Sequence, residues 1–353
     1  MSAPAGTEPL VSGTAAADGA PERDRKLEHI RLALEERMQL GRNFFDEYRF
    51  DHAALPEIDF DSIDTGVVFL GRRLAAPLLV SSMTGGTETA GQINRNLAAG
   101  AEATKVAVAV GSQRKALEDP TKADTFRVRE VAPSAVLLAN LGAVQLNYGL
   151  GVEACRDSVA MIGADALILH LNPLQEAIQP EGQCNFAGLL PKIGTVVSEL
   201  GVPVVVKEIG CGISEATARA LAAEGVRIVD TAGVGGTSWA RIEAQRAGDL
   251  EIGELFAGWG IPTPESIRQL RRVEGLTVIG SGGVRNGLDV AKAIAMGADL
   301  VGMAYPFLAP ATVSSDKVTE KVRRTVRELK ICMFCLGVKT ISELQRVPLL
   351  KGS

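Results

Sequence analysis

Residues 277–306 read TVIGSGGVRNGLDVAKAIAMGADLVGMAYP, and this stretch decides the fold class. Two short apolar runs, at 277–283 and 300–306, flank a segment with helical character at 286–296. Continuous apolar strands that alternate with helices are typical of a parallel sheet covered on both faces. The stretch therefore predicts a strand, a helix and a second, parallel strand.

The same unit recurs along the chain from residue 77 onward. The segments 152–163, 214–224 and 263–273 also read as helices between apolar runs. The eight runs are PLLVSSM (77–83), AVAVGSQ (107–113), AVLLANL (135–141), ALILHLN (166–172), PVVVKEI (203–209), RIVDTAG (227–233), TVIGSGG (277–283) and LVGMAYP (300–306). Eight units over about 230 residues predict an α/β protein with a (β/α)8 TIM barrel. An open doubly wound sheet is the alternative, but it usually has fewer strands, and no G-x-G-x-x-G motif follows the first run.

The chain ahead of the barrel divides into two parts. Residues 1–21 are mostly Ala, Gly, Pro, Ser and Thr, which bury too little apolar surface to offset their ordering entropy, so we predict a disordered tail. Apolar residues spaced three and four apart then predict a helical extension from Asp24, its N-cap, to about Leu40. We expect a single barrel domain over 22–353 that includes this helix and the C-terminal helices.

Composition excludes several classes of function. The formal net charge is −5 without a long basic stripe, and aromatic residues make up only 4%, so nucleic-acid binding is not expected. No apolar run approaches the roughly 20 residues that span a bilayer, and no signal peptide is visible. Five scattered cysteines do not suggest a secreted disulfide framework, and the C-x-x-C of Cys332 and Cys335 lacks the second pair that zinc needs, so we expect both in the core. We expect a cytoplasmic protein.

Nearly every apolar run ends in polar or glycine residues. The active site of a (β/α)8 barrel lies at the carboxyl ends of its strands, and a purely structural barrel does not need polar groups there. The strand ends supply Ser82, Met83, Thr84, Ser112, Gln113, Arg114, Asn140, His170, Asn172, Lys207, Thr237, Gly282, Gly283, Arg285, Ala304 and Tyr305. We therefore expect an active site built from these residues.

The turn after the seventh run has the character of a phosphate site. Gly282 and Gly283 would let a phosphate approach the backbone amides at the start of a helix, and Arg285 would add charged hydrogen bonds. Many barrels hold the phosphate of a nucleotide or a flavin at this position. The alternative is that the two glycines only form a tight turn.

Lys207 follows a run of apolar residues inside the fifth strand. A buried ammonium is costly unless it is paired, so it either pairs with a carboxylate such as Glu208 or faces a cofactor that gains negative charge. A flavin gains such charge at its N1/O2 edge on reduction, and Asn140, Ser112 and Thr84 could bond the same ring.

Two further groups suggest a diphosphate. Glu176, in the loop after the fourth run, could bind Mg2+ together with substrate phosphate, although a solvated loop residue is the alternative. Arg25, Lys26 and His29 are spaced three and four apart, so they share one helix face. Three potential cations on one face suit a diphosphate, and a solvated helix face is the alternative.

These segments together resemble type 2 isopentenyl diphosphate isomerases. HLNPLQEAIQPEG (170–182) and RKLEH (25–29) are the most specific parts, whereas GSGGVR is shared by many flavin barrels. The other matching segments are SSMTGG (81–86), GSQR (111–114), VVVKEIGCGIS (204–214), DTAGVGGTSW (230–239), WGIPT (259–263) and GSGGVRNGLD (280–289). The resemblance extends over residues 22–345.

The resemblance implies an FMN enzyme that interconverts isopentenyl and dimethylallyl diphosphate, needs Mg2+ and uses reduced flavin, usually supplied by NADPH. It also implies a homo-oligomer, a tetramer or an octamer. FMN would contact Ser82, Met83, Thr84, Ser112, Asn140, Lys207, Thr237, Gly282, Gly283, Arg285, Ala304 and Tyr305. The substrate would contact Arg25, Lys26, His29, Ser112, Gln113, Arg114 and Gln175. Lys207, Gln175, His170 and Asn172 would be the catalytic residues, and Glu176 would bind the metal.

Two other flavin barrels and a non-enzyme are the alternatives. An α-hydroxy-acid oxidase would carry an H-G-G-R-Q-type run after the sixth strand, but VGGTSWARIEAQR (234–246) has no histidine. An IMP-dehydrogenase-like enzyme would carry a nucleophilic cysteine there, and none is present. A non-catalytic flavin-binding barrel remains open, although the polar strand ends argue against it.

Overall fold

The structure is a computed structural model that describes residues 25–352, apart from the side chains of Arg25 and Glu36. The tail predicted for residues 1–21 and the predicted N-cap Asp24 lie outside the described residues.

Eight parallel strands form a closed barrel. The strands of the described residues are β1 (Tyr48–Phe50), β2 (Val67–Phe69), β3 (Arg72–Leu74), β4 (Leu78–Val80), β5 (Ala107–Ala109), β6 (Leu137–Gly142), β7 (Ala166–His170), β8 (Val204–Lys207), β9 (Ile228–Asp230), β10 (Thr277–Ser281), β11 (Leu300–Met303) and β12 (Leu349–Lys351). From β4 to β11 each strand pairs with the next, and β11 pairs with β4. Each predicted run contains one barrel strand, except that β6 extends one residue beyond its run, to Gly142, so the predicted (β/α)8 barrel is confirmed.

Helices connect and surround the barrel strands. They are α1 (Arg25–Ala33), α2 (Glu88–Thr104), α3 (Arg114–Glu118), α4 (Val152–Ile162), α5 (Pro173–Ile178), α6 (Leu189–Glu199), α7 (Glu215–Ala223), α8 (Trp239–Ala247), α9 (Leu250–Leu255), α10 (Thr263–Arg271), α11 (Gly287–Ala295), α12 (Tyr305–Val313), α13 (Ser315–Phe334) and α14 (Ile341–Leu344). The helices predicted at 152–163, 214–224, 263–273 and 286–296 correspond to α4, α7, α10 and α11. No helix among the described residues is long and apolar enough to cross a membrane.

The N-terminal helix is shorter than predicted. It ends at Ala33 rather than near Leu40, and a short 3-10 turn follows at Glu36–Met38. The reason is a long-range pairing, because Leu40 N donates to Gly236 O at 2.8 Å and Ser238 N donates to Met38 O at 2.8 Å. The backbone after the helix therefore pairs with the loop that follows β9.

Side chains alternate between the barrel interior and the surrounding helices. On β8, Val205 belongs to the interior cluster, whereas Val204 and Val206 pack in the outer core. Ile168 and Ile279 lie in the same interior cluster. Two residues further along each strand, the alternation turns the last side chain inward at the carboxyl end of the barrel. By this rule Asn140, His170, Lys207, Asp230 and Ser281 form one polar layer above the apolar interior.

The cysteine pair near the end of α13 differs from the prediction. Cys332 and Cys335 are free and half-buried rather than fully buried in the core. Cys332 still packs against the outer core, and burial raises the pKa of its thiol to about 11. The helix ends at this pair, so its last turn is only partly covered.

Candidate active site

An open cavity of about 250 Å³ lies at the carboxyl ends of the barrel strands, beside α1. The strand alternation delivers one layer of polar side chains to it. It is lined by Lys26, His29, Ser82, Met83, Thr84, Ser112, Arg114, Asn140, His170, Asn172, Gln175, Glu176, Lys207, Thr237, Gly282, Gly283, Arg285, Ala304 and Tyr305. The structure thus brings together all the predicted site residues except Gln113 and Arg25, and the side chain of Arg25 lies outside the described residues.

The structure places Gln113 away from the cavity, in contrast to the substrate contact that the sequence predicts. Its side chain is fully buried and does not line the cavity. Gln113 Nε2 donates to Ser158 O at 2.9 Å, and its Oε1 accepts from Asn140 N at 3.0 Å. Its neighbours Ser112 and Arg114 point to the cavity, so Gln113 holds the end of β6 instead.

The glycine turn after β10 is forced by close packing. Gly282 has φ of +105° and Gly283 has φ of +72°, values that favour glycine. A Cβ at Gly282 would lie 2.1 Å from Gly233 O, and one at Gly283 would lie 2.4 Å from Gly235 C. The turn is therefore tight, and it also lines the cavity, while the phosphate site stays a prediction.

Arg285 is bonded more extensively than the sequence suggested. Its Nη2 donates to Leu40 O at 2.9 Å and to Gly235 O at 3.2 Å. Its backbone N donates to Asp289 Oδ2 at 2.9 Å in the first turn of α11. Arg285 therefore ties the segment after α1 to the glycine turn, while its side chain also lines the cavity.

Asn140, on β6, connects the ends of β4 and β7. Its Nδ2 donates to Ser82 Oγ at 2.8 Å, and its Oδ1 lies 2.8 Å from His170 Nδ1. Because an amide oxygen only accepts, His170 donates from Nδ1. Burial, with the nearby cations Lys26 and Lys207 adding to it, lowers the pKa of His170 to about 3. The imidazole is therefore neutral at physiological pH.

Lys207 is paired, but not with Glu208. Its Nζ lies 3.3 Å from Asp230 Oδ2 on the adjacent strand β9. Glu208 Oε2 instead accepts from the backbone N–H groups of residues 209–211 at 2.5–2.7 Å. Burial raises the pKa of Glu208 to about 7 in spite of these bonds. Sequence reasoning missed Asp230, although it is the last residue of its strand.

The cavity wall also contains polar groups that lack a protein partner. Ser81 Oγ and Thr84 Oγ1 are buried without a hydrogen bond, and both residues line the cavity. A buried hydroxyl without a partner is costly, so these atoms suit a polar ligand. Together with the glycine turn and the buried ammonium of Lys207, they fit the phosphate and the polar ring edges of FMN.

Glu176 is not a solvated loop residue. Its carboxylate is buried, and Oε1 accepts from Asn172 Nδ2 at 2.8 Å. Oε2 accepts from Gln183 N at 2.7 Å and also from the side chain of Gln179. Within residues 25–352 no group of three or more His, Cys, Asp or Glu side chains could hold a metal ion. A cation here would thus need oxygen ligands from the substrate and from water.

His29, on α1, is buried against α8 rather than solvated. His29 Nε2 lies 3.1 Å from Glu243 Oε1, and its ring meets Trp239 edge-on at 5.3 Å between centroids. Gln175 Nε2 donates to the same oxygen at 2.6 Å, and Arg246 Nη1 lies 2.6 Å from the other. Burial alone would raise the pKa of Glu243, but the bonds from His29, Gln175 and Arg246 lower it to about 2.

Glu243 is the second residue that sequence reasoning missed. Its spacing of three from Arg246 on one helix was the available signal, but such pairs are usually exposed. Here the Glu243 side chain is fully buried, and it contacts His29 and Gln175, which line the cavity.

Comparison with known proteins decides the family. An isopentenyl-diphosphate delta-isomerase of a Nostoc species is 50% identical over 93% of this chain and 95% of its own. One from Rickettsia bellii is 48% identical over 92% of this chain and 96% of its own. The chain belongs to the isopentenyl-diphosphate delta-isomerase family. The resemblance read from the sequence motifs is thereby confirmed.

Flavoprotein comparisons agree with an isopentenyl-diphosphate delta-isomerase of the FMN-dependent type. The model of the family described as FMN-dependent dehydrogenase matches residues 183–350. A Pediococcus acidilactici protein described as a lactate oxidase superposes with a TM-score of 0.65 at 18% identity, covering 95% of this chain and 89% of its own. A mandelate oxidase variant with a monooxide FMN adduct gives 0.60 at 18% identity, covering 92% of each chain. At this identity the two structures support the fold alone.

Proposed function

We propose that this protein interconverts isopentenyl diphosphate and dimethylallyl diphosphate with FMN and Mg2+. The observation that carries the proposal is a single cavity whose wall contains two kinds of group. It has the buried ammonium of Lys207 and the glycine turn, and it also has Lys26 and His29 of α1 together with Glu176. The first group suits a flavin and the second suits a diphosphate.

FMN would lie across the carboxyl ends of the strands. Its phosphate would meet the backbone at Gly282 and Gly283, with Arg285 alongside. Its ring edge would face Lys207 and Asn140, and the other contacts would come from Ser82, Met83, Thr84, Ser112, Thr237, Ala304 and Tyr305. The unpartnered hydroxyl of Thr84 supports this placement.

The substrate diphosphate would bind beside α1 and Glu176. We propose that Arg25, Lys26 and Arg114 would supply positive charge for it, with His29, Ser112 and Gln175 as further contacts. Glu176 would hold Mg2+ through the phosphate oxygens, which is a usual arrangement for this cation. The hydrocarbon part would then extend between His170, Asn172 and the flavin ring.

Moving a double bond by one carbon requires a proton to be added at one carbon and removed from another. Reduced FMN would supply the group that exchanges this proton with the alkene. Lys207 stabilises negative charge at the ring edge because an opposite charge a few Å away favours ionisation. Neutral His170 and Asn172 orient the substrate, and Gln175 is fixed by Glu243 at 2.6 Å. NADPH would be the reductant.

Deuterium incorporation tests the proposal. Dithionite-reduced holoenzyme is incubated anaerobically with isopentenyl diphosphate and Mg2+ in deuterated water. We expect deuterated dimethylallyl diphosphate, a flavin that is still reduced at the end and no turnover by the oxidised enzyme. Turnover by oxidised enzyme alone, or flavin oxidation that matches product, would contradict the proposal; the second result is expected of a hydroxy-acid oxidase.

The cellular setting belongs to the same proposal. We place the enzyme in the cytoplasm as a homo-oligomer, a tetramer or an octamer. Light scattering of the purified holoenzyme gives its mass directly, and a monomer of 37.1 kDa would contradict the oligomer.

A further inference from the structure

Asp230 is a fully buried carboxylate at the end of β9, between the strands that carry Lys207 and Ser281. Its Oδ2 lies 3.3 Å from Lys207 Nζ. Its Oδ1 accepts from Ser281 Oγ and from Ala232 N, the latter at 3.2 Å. One carboxylate thus links the ammonium of Lys207 to Ser281, the residue before the glycine turn.

Within residues 25–352, the other titratable groups around Lys207 do not form an ion pair with it. His170 on β7 is opposite Lys207 in the strand register and is neutral. Glu208, next along β8, directs Oε2 to the three backbone N–H groups of residues 209–211. On the β9 side, Asp230 is the register partner of Lys207. Asp230 is therefore the carboxylate that compensates the buried ammonium.

We infer that Asp230 is a positioning residue for the isomerisation, which keeps Lys207 protonated and in place before FMN is reduced. The inference rests on the proposed FMN site. A buried ammonium without a counter-ion is strongly disfavoured, so the amine would give up its proton if the carboxylate were removed. Because of the ion pair, the ammonium of Lys207 would already be charged before negative charge develops on the flavin ring.

The inference fixes the number of protons taken up on reduction. With the pair intact, Lys207 carries its proton in both redox states, so FMN takes two electrons and one proton to form the anionic FMNH−. In Asp230→Asn, Lys207 is neutral beside oxidised FMN. Two electrons and two protons are then taken up, one proton by the ring and one by Nζ, giving FMNH− and an ammonium.

The test is the midpoint potential of bound FMN between pH 7.5 and 9.5. For a two-electron couple each proton contributes about 30 mV per tenfold change in proton concentration. We expect a slope of about 30 mV per pH unit in the wild-type enzyme and about 59 mV in Asp230→Asn. An unchanged slope in the variant, or a wild-type slope of about 59 mV, would overturn the inference.

Three variants separate charge from structure. Ser281→Ala removes a neutral partner of Asp230, and Glu208→Gln removes the neighbouring carboxylate, so both should keep the one-proton slope. Asp230→Glu retains the carboxylate and should return the slope toward the wild-type value. A one-proton slope in Asp230→Asn together with wild-type slopes in the controls would show that Lys207 holds its proton unaided.

The test remains valid if Asp230→Asn does not fold. The wild-type slope is measured independently, and a two-proton value there is sufficient to overturn the inference. FMN titration of the apoprotein distinguishes a failure of the proposed function from a failure of the role given to Asp230. If the apoprotein takes up no FMN, the proposed function fails. If FMN binds and the slopes do not differ, only the role of Asp230 fails.

Discussion

Gln175 Nε2 donates to Glu243 Oε1 across 2.6 Å, and this bond joins the loop helix α5 to α8. The same carboxylate lies 3.1 Å from His29 Nε2 and 2.6 Å from Arg246 Nη1. Glu243 thus holds one residue from each of two segments that line the cavity. Its charge is maintained by these partners, which together lower its pKa to about 2 although burial acts in the opposite direction.

Glu243→Gln should weaken substrate binding and lower stability. The variant keeps the shape but removes the carboxylate charge that faces His29 and Arg246. Arg246 keeps its contacts with Glu28 and Glu181, so the loss of stability should be smaller than the cost of breaking a buried pair, about 3–5 kcal/mol. We expect a higher KM for isopentenyl diphosphate, with FMN affinity little changed. Urea unfolding and steady-state kinetics measure the two effects. The control is Glu251→Gln, an exposed carboxylate on α9, and equal effects in both variants would contradict the assignment.

Gly282→Ala should abolish FMN binding. The residue has φ of +105°, and a Cβ would lie 2.1 Å from Gly233 O, so the turn must open. Gly275→Ala is a matched control, because Gly275 has φ of +76° but nothing within 4 Å of its Cβ position. The control should lose only about 1–2 kcal/mol of stability and keep FMN. Fluorescence titration with FMN is the measurement, and wild-type affinity in Gly282→Ala would be evidence against the phosphate turn.

Glu176→Gln should cut activity strongly and raise the Mg2+ concentration that activity requires. The change keeps the shape and removes the charge that we propose for the cation, while FMN stays bound. Activity as a function of Mg2+ is measured for the variant and for Glu130→Gln, which alters an exposed carboxylate. If Glu176→Gln keeps the Mg2+ dependence of the parent, the metal assignment is wrong.

His170 should make the fold sensitive to acid. Burial lowers its pKa to about 3 from an ordinary 6.5, so the unfolded chain binds a proton that the folded chain excludes. The contribution of neutral His170 to the free energy of unfolding is therefore present above pH 6.5 and is lost as the pH falls toward 3. Between pH 7.5 and 5, His170→Gln should lose less free energy of unfolding than the wild type. Glu208 shifts the free energy of unfolding in the opposite direction, but it is present in both the wild type and His170→Gln, so its effect cancels in their difference. Parallel curves of unfolding free energy against pH for the two proteins would contradict the prediction.

Local sequence patterns were sufficient for the barrel and for most of the cavity wall. The carboxyl ends of all strands in a closed parallel barrel lie at the same rim. The last residues of the predicted runs are therefore also the residues that line the cavity. The exceptions depend on contacts between distant segments. Gln113 turns away because Ser158 and the backbone of Asn140 satisfy its amide. Lys207 pairs with Asp230 rather than with Glu208, because strand register and not adjacency in the sequence decides which side chains face each other.

The pairing of the chain after α1 with the loop after β9 has a thermodynamic consequence. Leu40 is bonded through its N–H to Gly236 and through its carbonyl to Arg285, which also lines the proposed phosphate turn. A ligand that orders this turn therefore lowers the cost of ordering the helix that would bind the diphosphate. Linkage makes the effect reciprocal, so substrate should tighten FMN by the same factor that FMN tightens substrate. FMN and the diphosphate substrate would then bind cooperatively rather than independently.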